Sequence, residues 1–163
     1  MFASRADLLA RCNARRLAQL AIPADKAIPL ADEALRVAID GGDLSGYSAA
    51  DQSALSLGLA TIDKALADAH AFIVSYGIPE TVQTTLLARL TSTVAWYYLQ
   101  GDERMTDEVV KAYNGVVDTL KSHARGDLSL LPPDSATASL PEDMVQLDSS
   151  PRRYGSAAVG DDW

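Results

Sequence analysis

The sequence is poor in the residues that build disulfides and metal centres. Its 163 residues include one cysteine, Cys12, and two histidines, His70 and His123. A single cysteine excludes an intramolecular disulfide and a zinc site made of several cysteines. Neither histidine has a second ligand at the spacing of a metal-binding helix. We expect Cys12 to be a small core residue and each histidine to lie at a surface or a helix end.

Long apolar runs are also missing. No segment approaches the roughly 20 apolar residues that a membrane-spanning helix needs. The first residues, Met1 to Arg5, lack the apolar stretch of a secretion signal. The sequence therefore predicts a protein that folds in a reducing cytoplasm and has no membrane partner. Its length suits about one domain.

Positive charge is scarce. Lys and Arg number 14 against 22 Asp and Glu, which gives a net charge of −8 and a pI near 4.6. An acidic chain repels phosphate backbones, which argues against general nucleic-acid binding. Most of the excess negative charge lies after Gly126, where the sequence has seven acids and only two bases, Arg152 and Arg153.

The chain divides at Gly126. Residues 1–125 carry helical patterns, whereas residues 126–163 are rich in Pro, Ser and Ala and show no sustained period. We predict a helical bundle domain over 1–125 and an extended C-terminal arm over 126–163, without a core of its own.

The strongest helix is predicted over 48–76. Its apolar residues recur at spacings of four and three, which makes one stripe along a helix: Leu55, Leu59, Ile62, Leu66, Ala69, Ile73 and Tyr76. Ser48 suits the N-terminal cap and Gly77 the C-terminal stop. This is the clearest helix in the sequence.

Four further segments are helix-prone. Residues 4–20 form one helix or two short ones broken near Asn13, and residues 30–40 form a short helix that ends at Gly41. Pro79 opens the next helix, which stops at Gly101, and Thr106 caps a last one that stops at Gly126. With no convincing strand, the sequence predicts an all-α fold: a small bundle of about four to five helices with a long C-terminal arm.

No pattern of catalytic residues is present. The sequence lacks HExxH, CxxC, P-loop and GxSxG motifs. Asp63 and Asp68 are five residues apart, which does not place them on one helix face. We therefore predict a protein that is not an enzyme and that uses no cofactor or metal.

Candidate interface residues fall in three groups. The aromatic run at 96–98 spans too wide an arc for all three rings to point into one core, so it either serves packing alone or also contributes to an interface. The N-terminal arginines form either a solvated face or a site for an acidic partner. The arm is either without a docking role or, since it keeps apolar anchors, a segment that orders on a partner. The candidates are Arg5, Arg11, Arg15, Arg16, Trp96, Tyr98, Leu140, Met144, Leu147, Arg152, Arg153, Tyr154 and Trp163.

Several segments together resemble a family of small neck proteins of Mu-like phages and prophages. The resemblance follows the chain in order and rests on RADLLAR at 5–11, ALADAHAFI at 65–73, VAWYYLQGD at 94–102, YNGVVDTL at 113–120, ARGDLSL at 124–130 and SSPRRY at 149–154. These proteins are similar to the helical head-completion adaptors of long-tailed phages.

The resemblance implies a structural virion protein of the phage neck, assembled in the host bacterial cytoplasm. It implies a head-to-tail connector that forms a ring, dodecameric like the portal, under the portal protein. Its partners are then the portal, neighbouring copies and a tail-side neck or tail-terminator protein, while DNA passes through the channel without specific binding.

Other classes of function stay open at this stage. A cytoplasmic adaptor or regulatory module would bind one protein partner through the same arm in a one-to-one complex. Another structural role in the phage is also compatible with the resemblance. An enzyme on a helical scaffold would need a buried polar cluster, and the sequence indicates none.

Overall fold

The computed structural model describes residues 1–29, 33–101 and 104–132. Over these residues the chain is all-helical, which confirms the predicted fold class. The helices are α1 Arg5–Leu9, α2 Ala14–Ala21, α3 Ala34–Ile39, α4 Ala49–Val74, α5 Thr85–Gln100 and α6 Asp107–Ala124. None of these helices has the length and apolarity needed to cross a membrane. The described ranges contain six helices, because the segment predicted over 4–20 breaks at Asn13 into α1 and α2. The Asn13 side chain caps α2 by accepting a hydrogen bond from the backbone N–H of Arg16.

The long helix α4 confirms the helix that the apolar stripe predicts, and it forms the centre of the bundle. Its N-terminus is capped by Ser48, which accepts a hydrogen bond from the Asp51 N–H. Beyond its C-terminus Gly77 has a φ of +86°, a conformation that favours glycine. Leu55, Ile62 and Ile73 of the stripe are fully buried. Helices α2, α3 and α5 pack against α4.

Helix α5 begins later than the sequence predicts. Pro79 lies in a turn closed by the hydrogen bond from the Val82 N–H to its carbonyl oxygen, and the helix starts only at Thr85. Thr84 provides the side-chain cap, accepting the N–H of Leu87 at 3.1 Å, which a proline cannot do. The turn also buries Ile78 and Val82. The turn that precedes α5 therefore completes the core beneath this helix.

Helices α2 and α4 approach closely at Gly58. A Cβ atom at this position would lie 3.0 Å from Cγ1 of Ile22, the residue that ends α2. Gly58 is buried within α4. The missing side chain therefore sets the distance between the two helices.

The residues that follow α6 pack back on the bundle. Gly126 adopts a φ of +82°, and the N–H groups of Asp127 and Leu128 bond to the carbonyl oxygen of Ser122. Leu130 is only 5% exposed and joins the core cluster. The bundle therefore includes residues up to about Leu131, although Gly126 ends the last helix. The division of the chain into two domains remains a prediction.

Candidate interaction surface

Arg5 is bound within the bundle. Its guanidinium donates two hydrogen bonds to the Asp63 carboxylate, at 2.7 and 2.5 Å, and so links α1 to α4. The hydrogen bond to Arg5 lowers the pKa of Asp63, outweighing the opposing effect of burial. Both side chains are partly exposed. The pair orients α1 on the bundle, which leaves Arg5 less free for a partner than its position in the sequence suggests.

Arg11 lines a groove between α1, α5 and α6. The groove has a volume of about 700 Å³ and is open to solvent. Its lining consists of small residues, two arginines, two acids and one large ring: Asp7, Ala10, Arg11, Thr85, Ala88, Arg89, Ser92, Thr93, Trp96, Glu108, Val109 and Ala112. The structure thus brings two predicted interface residues, Arg11 and Trp96, to one site.

The two arginines of the groove, Arg11 and Arg89, lie close enough for their charges to interact. The Arg11 guanidinium donates a long hydrogen bond, 3.4 Å, to the Thr93 hydroxyl. Burial, and then the positive charge of Arg89, lower the pKa of Arg11. In the described residues neither arginine forms an ion pair with a carboxylate. The groove therefore holds two like charges, neither of which is paired with a carboxylate among the described residues.

Arg15 and Arg16 lie apart from the groove, exposed on α2. Arg15 borders a small crevice beside Ile28 and Leu55. The predicted basic cluster is thus divided: one arginine ties helices together, one enters the groove and two lie on α2.

The aromatic run divides between packing and solvent. The Tyr97 ring stacks on Tyr113 of α6, with centroids 4.0 Å apart and 15° between the planes. Tyr98 is 38% exposed, and its partial burial raises the pKa of its hydroxyl to about 12. Trp96 turns to the groove. With the Gln100 amide oriented to face it, the Trp96 indole N–H donates to the amide oxygen at 3.0 Å.

The Cys12 thiol and the two imidazole rings lie outside the residues that line the groove. Cys12 is half-buried against the core, and burial raises the pKa of its thiol to about 11. His123 lies at the end of α6, as predicted, with Nδ1 3.2 Å from the Leu128 carbonyl oxygen. His70 packs edge-on against the Phe2 ring, with centroids 4.5 Å apart. No group of three or more His, Cys, Asp or Glu in these ranges could hold a metal ion.

Sequence reasoning missed Arg89 and Glu108 as groove residues. Their helices were predicted, but the angle between α5 and α6 was not. Ala88 and Ser92, four apart on α5, are the available signal, because small residues at that spacing leave room beside a helix. The remaining candidates, Leu140, Met144, Leu147, Arg152, Arg153, Tyr154 and Trp163, lie outside the described residues.

Comparison with known proteins agrees with the resemblance found in the sequence. A family model described as "Bacteriophage Mu, Gp36" matches residues 2–148. The chain is also similar to "Gene product J" of Escherichia phage Mu, with 36% identity over 110 residues, which is 62% of this chain and 75% of that protein. No solved structure matches. The family match includes every described residue except Met1 and extends to Asp148, but it ends before the motif at 149–154.

Proposed function

This chain belongs to the Bacteriophage Mu, Gp36 family, and we propose that it is the head-to-tail connector of a Mu-like phage. Membership of the family supports a structural or assembly role in the phage. In the proposed role, copies of the chain form a ring under the portal, complete the head and present a surface to the tail. The match over residues 2–148 is the observation that carries this proposal.

The bundle has the rigidity that such a ring needs. Helix α4 has 26 residues, so it is about 39 Å long. Side chains from all six helices join one continuous core around it. A ring built from such a unit keeps its diameter, because well-packed helices resist deformation.

A closed ring also needs two different surfaces on each copy, because head-to-tail contacts are heterologous. The surface of α5 around Tyr98, which is 38% exposed, is one candidate. The exposed arginines of α2, Arg15 and Arg16, form a second. Many copies act together in a ring, so individually weak contacts hold it firmly.

The acidic composition suits a channel through which DNA passes. At a net charge of −8 per copy, a ring repels the phosphate backbone instead of trapping it. This supports a channel without specific DNA binding. It also separates the proposal from a role in packaging or processing DNA, where basic contacts to phosphate are needed.

The arm is the proposed contact to portal or tail, and its removal tests that part of the proposal. We would complement a phage that lacks this gene with the full chain or with a chain ended after Pro132. The truncation keeps Leu130, which the core needs. Circular dichroism and thermal unfolding of the truncated protein establish that the bundle still folds.

We expect the truncated chain to leave heads and tails unjoined, while the full chain restores complete particles. The Arg152→Ala, Arg153→Ala double variant is expected to reduce joining without changing the melting temperature. If the truncated chain completes particles as well as the full chain does, the arm has no role in the joint.

A further inference from the structure

The groove between α1, α5 and α6 has room for a further segment. It is about 700 Å³ in volume and open, and its walls are mostly small side chains beside one large ring, Trp96. Small residues with an aromatic at one end suit a segment with a few apolar side chains. A surface of small residues does not by itself identify an occupant, so the charged residues of the groove must identify it.

The groove is lined by two arginines and two acids, and each acid lies in the first turn of a helix while neither arginine has a carboxylate partner among the described residues. Asp7 is already engaged, because its carboxylate accepts hydrogen bonds from the backbone N–H and hydroxyl of Ser4. Glu108 lies in the first turn of α6, where the helix dipole favours an acid. Arg11 and Arg89 have no carboxylate partner within the described ranges. The groove therefore fits an occupant that carries acids next to apolar residues.

The chain itself contains such a segment at residues 140–148. Leu140, Met144 and Leu147 are spaced four and three apart, which would place them on one side of a helix. Asp143 lies four before Leu147 and Asp148 four after Met144, so both acids would flank this apolar side. Between Pro133 and Ser150 the sequence has four acids and no base.

The length of the chain allows the segment to reach the groove of its own copy. Pro132 follows the C-terminal end of α6, and the groove lies beside the first turns of α6. That helix has 18 residues and is about 27 Å long. The eight steps from Pro132 to Leu140 span up to about 28 Å when extended.

We propose that residues 140–148 bind in the groove of the same chain. Leu140, Met144 and Leu147 then lie against the small residues and Trp96. Asp143 and Asp148 lie toward the two arginines, Arg11 and Arg89. Tethering gives the segment an effective concentration on the order of 1 mM, so a contact whose dissociation constant is well below that concentration is largely formed within one chain. The contact fixes the base of the arm to the bundle, and the residues after 148 remain available to a partner.

This proposal goes beyond the connector function and does not depend on it. It concerns the free, full-length protein, so its test needs no portal and no phage. A failure here would leave the connector proposal standing, and the reverse also holds.

Crosslinking in the full chain tests the contact directly. In a Cys12→Ser background, Met144→Cys is combined with Ala112→Cys in the groove, or with Asn114→Cys as the matched control. Asn114 is exposed and only two residues further along α6, and residues two apart do not share a helix face. A short thiol-specific crosslinker is applied at micromolar protein, and intact mass and peptide mapping identify the products.

We expect several-fold more crosslink within one chain for position 112 than for position 114. Equal yields at the two positions would overturn the proposal. A crosslink at 112 found only between two chains would also overturn it, because the occupant would then come from a second copy.

Charge reversal tests the acids. Arg11→Glu with Arg89→Glu should lower the 112–144 crosslink several-fold, and adding Asp143→Arg with Asp148→Arg should restore it. Glu142→Arg is the control, because Glu142 would lie away from the apolar side and its reversal should neither lower the yield nor restore it. A yield insensitive to both double reversals would contradict the assignment of the charges.

Discussion

Arg5 and Asp63, 58 residues apart in the sequence, join α1 to α4 through two hydrogen bonds between opposite charges. The fork of the guanidinium matches the carboxylate, a geometry that fixes orientation as well as distance. A short N-terminal helix is thereby held on the central helix of the bundle. The same α1 forms one wall of the groove, so the pair also supports the shape of the candidate interaction surface.

Asp63→Asn is expected to lower the free energy of unfolding by about 1 kcal/mol or less, since the pair is partly exposed. The lowered pKa of Asp63 means that its contribution is present above about pH 4 and is lost as the pH falls through the folded-state value. Urea denaturation of Arg5→Gln, Asp63→Asn and the double variant would measure the coupling. Asp68→Asn, on the exposed face of α4, is the control. If the effects of Arg5→Gln and Asp63→Asn simply add, the pair contributes nothing.

Leu130→Ala is expected to destabilise the bundle by about 2–4 kcal/mol, because it opens a cavity in the core. Leu128, two residues earlier, is 45% exposed, so Leu128→Ala should change stability by about 0.5 kcal/mol or less. Thermal and urea unfolding of both variants measure the difference. Equal effects would mean that the residues after Gly126 do not belong to the bundle.

Two helix-interior glycines are expected to respond differently to alanine. A Cβ at Gly115 meets open space, so Gly115→Ala should stabilise the protein by up to about 1 kcal/mol through helix propensity. At Gly58 the same gain is opposed by the contact with Ile22. Gly58→Ala should therefore stabilise less than Gly115→Ala, and Gly58→Val should destabilise. A stable Gly58→Val variant would show that α2 and α4 are not held at the distance described.

Stability is expected to fall as the pH drops below about 6.5, because the folded protein resists protonation of His70. Burial, and then the charge of the N-terminal amine, lower the pKa of His70, while Glu80 opposes them. The Nδ1 atom is buried without a hydrogen-bond partner among the described residues. The unfolded chain therefore takes up this proton at a higher pH than the folded one does.

The measurement is urea unfolding of the native protein and of His70→Gln at about pH 7.5 and pH 5. The native protein should lose stability between these values, and the variant should lose less of it. Identical pH dependence in the two proteins would show that His70 does not carry the effect.

The sequence predicts the helices well where local signals agree. The Leu55 stripe, the Ser48 cap and Gly77 act within a few residues of each other, so α4 is found almost to its ends. The Asn13 break and the Thr106 cap are local in the same way.

The prediction that Pro79 opens α5 is wrong, because a proline suited to the first turn of a helix is equally suited to a turn. Only the burial of Ile78 and Val82 decides between the two.

The interaction surface is predicted only in part. The arginines near the N-terminus are adjacent in sequence, but their partners come from other helices: Asp63 from α4 for Arg5, and Thr93 from α5 for Arg11. Arg89 enters the groove because of how α5 and α6 cross, and the small residues of α5 indicate room beside the helix but not the angle of that crossing. Tertiary geometry thus determines the site, while sequence supplies its components.

Mixing the full chain with the portal protein of the same phage tests the connector function most directly. The mixture would be followed by size-exclusion chromatography with light scattering and by electron microscopy. The account predicts a ring-shaped complex in which the copies of this chain match the portal subunits in number. A one-to-one complex with another protein, no binding to the portal and no copies in purified particles would contradict it and favour an adaptor module instead.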